Sequence, residues 1–118
     1  MNIVMYGLPE EIVGRMAEHY GFAIRKSFKE LDEGHNFLVQ SQMLSHREQY
    51  VFWRRMDDFY DHIDAVIAVE SPMMSTVHYC SEQGKFYTVD ASDEETIVCE
   101  LTRILDSLFG NICAHEGV

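Results

Sequence analysis

The sequence predicts an α/β protein, a three-layer sandwich in which helices cover both faces of a mostly parallel sheet of four or five strands. Two observations carry this. Short apolar runs alternate with segments whose apolar residues recur at three- and four-residue steps, the pattern of strands joined by crossover helices. One run, Ala65-Val66-Ile67-Ala68-Val69, is apolar throughout, as suits a strand covered on both sides. Right-handed crossovers then place helices on the sheet.

The elements follow in order. Ile3 to Tyr6 reads as a strand and Gly7-Leu8-Pro9 as a turn, with Pro9 at the first helical position. Ile12, Val13, Met16, Ala17 and Tyr20 give the next helix one apolar face, Glu10 and Glu11 suit its positive end, and Gly21 stops it. Phe22 to Phe28 alternates weakly, as a short edge strand would, and Lys29 to His35 is a polar loop. Phe37-Leu38-Val39 is a buried strand. From about Met43 to His62, Phe52, Met56, Phe59 and Ile63, with Trp53 and Tyr60 beside them, predict a long helix with a wide aromatic face.

After the strand 65–69, Ser71-Pro72 opens a helix with Met73, Val77 and Cys80 inward and Gly84 at its end. Phe86-Tyr87-Thr88-Val89 is a further strand. Ser92-Asp93-Glu94-Glu95 reads as a capping box in which Ser92 and Glu95 satisfy each other's backbone amides. The last helix buries Ile97, Leu101, Ile104, Leu105 and Leu108 and is expected to stop at Gly110.

With 118 residues, 47% of them apolar, and no linker or repeat, the chain is expected to form one α/β domain over 1–118. It shows neither a basic-then-apolar leader nor about 18 consecutive apolar residues, so a soluble cytoplasmic protein is expected. Cys80, Cys99 and Cys113 are odd in number and lack C-x-x-C spacing, which fits reduced thiols that are buried or inert. His78-x-Cys80 and Cys113-x-His115 lack zinc-knuckle spacing, and neither a metal nor a cofactor is expected.

Net charge is −11 and uneven: residues 1–60 hold seven basic and nine acidic residues, 61–118 two basic and eleven acidic. A chain this acidic is a poor binder of nucleic acid or anionic membrane, and a basic protein surface suits it better.

The segment from Ile3 to Phe22 has the layout of a phosphate-loop strand, loop and helix. Taken with Phe37 to Ser45, Asp64 to Pro72 and the Phe86-to-Ser92 strand and turn, it makes the chain resemble the nucleoside and nucleotide kinases of the phosphate-loop fold, in particular thymidylate kinase, the deoxynucleoside kinases and adenylate kinase. Val13-Gly14-Arg15-Met16-Ala17-Glu18-His19-Tyr20-Gly21-Phe22 is similar to the family's first helix. Asp90-Ala91-Ser92 is similar to its last turn, and the final amphipathic helix also fits.

The departures bear on function. With Gly7 as first glycine, the family's lysine and hydroxyl positions fall on Val13 and Gly14, and its Asp-Arg pair on Gln40 and Ser41. The lid-like stretch Met73 to Gly84 has no basic residue, and too little chain separates Phe22 from His35 for the helices that cover an acceptor nucleotide. Phosphoryl transfer depends on the groups that are missing. The resemblance thus implies the fold without the activity.

Of the other constellations, Arg47, Arg54 and Arg55 on or near the aromatic helix could accept a phosphate or an acidic partner, but their alternation with Glu48, Asp57 and Asp58 reads first as a solvated helix face. Asp57-Asp58 with Asp61-His62-x-Asp64 could suggest acid/base chemistry or a divalent ion, but with no glycine-bounded calcium loop around it the cluster reads as helix-end solvation, and no histidine motif or catalytic residue stands out. Trp53 with Phe52, Phe59 and Tyr60 is first a core and second a homodimer seam.

The expected function is a non-catalytic protein-binding module, an inhibitor or adaptor such as a phage-encoded protein directed at a host factor. Trp53, Arg54, Asp57, Asp93, Glu94 and Glu95 are the candidate contact residues. The alternative is a nucleotide-binding protein or atypical kinase whose phosphate site is rebuilt from Arg15, Lys26 or Lys85.

Overall fold

The central strand, β1 (Asn2–Tyr6), sends Ile3 and Met5 to one side of the sheet and Val4 and Tyr6 to the other, and none of the four is more than 1% exposed. A computed structural model describes residues 1–42, 44–69, 86–90 and 92–116. β1 lies between β3 (Asn36–Gln40) and β4 (Ala65–Val69), with β2 (Ala23–Arg25) and β5 (Phe86–Val89) at the edges. All four pairings are parallel, in the order β2-β3-β1-β4-β5. Where the sequence predicts a mostly parallel sheet of four or five strands, the sheet has five, all parallel, and its order is not the flavodoxin-like 2-1-3-4-5.

Two apolar clusters fill the two sides. Helices α1 (Glu10–Tyr20) and α3 (Glu94–Glu116) cover Ile3, Met5, Phe37, Val39, Ala65 and Ile67. Helix α2 (His46–Asp58) covers Val4, Tyr6, Leu38, Val66 and Ala68 with Trp53 and Met56. The three layers follow from β4 alone, whose five residues are all buried, alternately toward one cluster and the other. Between α1 and α3 the Tyr20 hydroxyl donates to Asp106 at 2.6 Å. Burial, and then this carboxylate, push the phenol up to about 12.

Helix ends show where local signals compete. Gly21 ends α1 at φ +75°, and Phe22 N–H donates back to Ala17 C=O at 2.8 Å. Pro9 is the N-cap of α1, one position earlier than predicted.

The aromatic helix is shorter than the predicted 43–62. Ser45 and Glu48 form a capping box that starts it at His46, and Tyr60–His62 is a separate 3-10 turn.

The cap of α3 is Asp93, not Ser92. The Asp93 carboxylate accepts from Thr96 N–H at 2.7 Å, while Ser92 N–H donates to Asp90. Asp93 is one residue closer to the helix and so reaches its third amide, which leaves Glu95 nothing to reciprocate.

Gly110 does not stop α3, which continues to Glu116. A helical glycine costs only about 1 kcal/mol relative to alanine, and no proline follows. The predicted helix 71–84, Lys85, Cys80 and His78 lie outside the described residues.

Candidate functional site

In an open α/β sheet the natural binding crevice lies at the carboxyl ends of neighbouring strands whose connections leave to opposite faces. Here those strands are β1, which leads to α1, and β3, which leads to α2 on the other face. The crevice is therefore bounded by the Gly7 turn and by Gln40 and Ser41.

The turn is short and is held against the sheet. Only Gly7, Leu8 and Pro9 separate β1 from α1. Gly7, at φ +74°, donates its N–H to Gln40 C=O at 2.7 Å, and Leu8 is fully buried in the α1 layer. One amide is spent on β3, and an apolar side chain packs under the turn.

Because the helix already begins at Glu10, Val13 lies deep in its first turns. It is 1% exposed and packs in the core with Ile3 and Leu101. A lysine there would enter the core, not the crevice.

A carboxylate of the protein itself stands at the mouth. Glu10 Oε1 accepts from Lys26 Nζ at 3.0 Å, and this bond with the lysine charge holds the Glu10 carboxyl below its usual value. Ser41 adds the smallest contribution to that shift. Its buried hydroxyl nonetheless makes no hydrogen bond of proper geometry.

Since α1 and α3 both start at the carboxyl edge of the sheet, their acidic first turns share it. Glu11, Asp93, Glu94 and Glu95 are all exposed there, and Arg15 Nη2 meets Glu94 Oε1 at 2.6 Å. Pro9, Glu11, Ile12, Asp93, Glu94 and Ile97 line a depression of about 180 Å³ between the two helices. The Thr96 amide holds the Asp93 carboxyl below its usual range.

The predicted contact residues do not form one patch. Asp93, Glu94 and Glu95 are together on α3, while Trp53, Arg54 and Asp57 belong to α2 on the opposite face. Trp53 is 9% exposed, with its ring 5.5 Å from Tyr6 and 5.3 Å from Phe52, so it packs in the core. Arg54 turns back on its own helix to Tyr50, Nη1 to hydroxyl 3.0 Å. Asp57 is exposed.

Arg15 and Lys26, offered for a rebuilt phosphate site, are each engaged by a carboxylate of the chain, Glu94 and Glu10. Asp64 accepts from the Asn2 N–H at 2.7 Å, a bond that ties β4 to β1.

Sequence reasoning missed three features. Gln49, 4% exposed, donates to Leu44 C=O at 3.0 Å and anchors the start of α2. A groove of about 420 Å³ lies along α2 between Leu44, Arg47, Glu48, Val51, Phe52 and Arg55. Its signal was the four-residue step Arg47, Val51, Arg55. Cys99, expected to be buried or inert, is exposed, because it falls two residues past Ile97, off the inward stripe of α3.

Among the described residues no helix is long and apolar enough to cross a membrane. No family model, curated protein or solved structure matches the chain.

Proposed function

We propose that this protein is a non-catalytic protein-binding module, an inhibitor or adaptor, built on an eroded nucleotide-kinase-like scaffold. One observation carries the reading: the Glu10 carboxylate, paired with Lys26, stands in the first turn of α1 where an anion would approach, while the Gly7 amide is taken up by Gln40 C=O. A helix N-terminus attracts phosphate by its free amides and positive dipole end, and acidic first turns offset both. The winding 2-3-1-4-5 supports the kinase-like origin to the extent that it removes the flavodoxin-like rival.

The same carboxylates suit a basic partner. Glu11, Glu95 and their neighbours project from one edge of a chain of net charge −11, an arrangement that speeds association with a positive surface and selects against acidic ones.

Calorimetric titration with ATP, deoxynucleoside triphosphates and nucleoside monophosphates, with and without magnesium, is expected to show no saturable heat. Saturable binding of any of them would replace this reading with that of a nucleotide-binding protein. Affinity capture at two salt concentrations tests the acidic edge, where capture insensitive to salt would remove the electrostatic part.

A further inference from the structure

The groove on α2 reverses the sign of the molecule. Arg47, Val51 and Arg55 follow one another at four-residue steps and form a stripe along the exposed side of the helix, next to a second stripe of Leu44, Glu48 and Phe52. Arg47 and Arg55 are exposed and form no ion pair among the described residues, although the chain has more than twice as many acids as bases. Glu48, the one acid in the groove, accepts from Ser45 N–H in the capping box, and the Ser45 side chain, followed by that backbone bond, holds its carboxyl low. Between the arginines the floor is apolar: Val51 is 52% exposed, a large exposure for a valine, and Leu44 and Phe52 flank it.

We infer that this groove binds an extended acidic peptide segment of the form acid-x-apolar-x-acid, its two carboxylates on Arg47 and Arg55 and its apolar side chain on Val51 and Phe52. The lengths agree. Eight helical residues from Arg47 to Arg55 span about 12 Å at about 1.5 Å each. Four residues of an extended peptide span about 13 Å at about 3.3 Å each, with the first, third and fifth side chains on one face. Guanidinium forks bind carboxylates bidentately, which gives each end direction as well as charge.

Other occupants fit less well. A second copy docked through a two-fold axis at Val51 would set Arg47 of each chain against Arg55 of the other, a repulsive seam. A nucleic acid or anionic membrane extends far beyond the groove and meets the field of the other charges, net −11. The inference is independent of the acidic edge, because α2 lies on the opposite face of the sheet from α1 and α3.

The test is fluorescence anisotropy on the full chain with a labelled Gly-Glu-Ser-Leu-Ser-Glu-Gly peptide. Saturable binding is expected, weakened at least about tenfold in the double variant Arg47→Gln/Arg55→Gln and unchanged in Arg103→Gln on α3. Both arginines are exposed, so the double variant keeps its fold. A peptide with Ser in place of Leu gives a second reading on the wild-type chain and should compete at least about tenfold less well. The inference is overturned by lack of saturation up to about 1 mM peptide, by equal affinity in the double variant, or by a DNA oligonucleotide or anionic vesicle binding as tightly. A wild-type dimer that Arg47→Gln disperses, seen by sedimentation, would overturn it in favour of a second copy.

Discussion

Lys26 Nζ stands 3.0 Å from Glu10 Oε1, an ion pair that fastens the chain just beyond edge strand β2 to the first turn of α1. The Glu10 carboxyl is held below its ordinary value of 4.5 by the bond to Lys26 and by its charge. A depressed folded-state value stabilises the fold above the unfolded value and is lost as pH falls through the folded one. The melting temperature of Glu10→Gln should therefore lie below that of wild type by a constant amount above about pH 5, and the difference should vanish below the folded-state value. Thermal melts from about pH 3 to 7 at low salt check this, and Lys26→Met should show the same loss.

The cap of α3 separates two neighbouring residues. Asp93→Ala removes the acceptor of Thr96 N–H and should lower the melting temperature, whereas Ser92→Ala should leave it within error. Equal effects would restore Ser92 as the cap. The Asp93 contribution should also fade in acid, since its carboxyl is held below the usual range by the same amide.

Two glycines should respond with opposite signs to the same substitution. Neither Gly14 nor Gly21 has an atom within 4 Å of where a Cβ would be, so packing does not decide. Gly14 is inside α1, and Gly14→Ala should stabilise by about 0.5 to 1 kcal/mol through helix propensity. Gly21 sits at φ +75°, and Gly21→Ala should destabilise by about 1 to 2 kcal/mol. Urea denaturation of both variants gives the two values.

Trp53 distinguishes a core from a docking surface. With its ring against Tyr6 and Phe52 and 9% exposed, Trp53→Ala should cost about 3 to 5 kcal/mol in urea denaturation. As the chain's single tryptophan it should also emit as a buried indole and shift to the red on unfolding. A loss below about 1 kcal/mol would mean the ring is dispensable to the core.

Much of the fold was legible because its signals are local. Ala65 to Val69 had to be a central strand since no polar side chain interrupts it, and the α1 stripe stopped where Gly21 supplies a left-handed residue. The misreadings fell where two local signals competed. Ser92 and Asp93 both cap well, and Gly110 both ends helices and is tolerated inside them. Trp53 and Arg54 are adjacent in sequence, yet their directions differ by about 100° on a helix, which put one in the core and the other at the surface.

By itself, then, the sequence determined the succession of strands and helices, the apolar stripes that face the sheet and the placing of Val13 and Gly14 where a phosphate loop carries its lysine and hydroxyl, because periodicity and residue chemistry act over a few neighbours. Only the tertiary structure decided the winding 2-3-1-4-5, the closing of the Gly7 turn on Gln40, and the carboxylates that take up Lys26 and Arg15 across 16 and 79 residues of chain. Those partners are chosen by how helices pack on the sheet, and that packing is a sum over the whole chain that no short window contains.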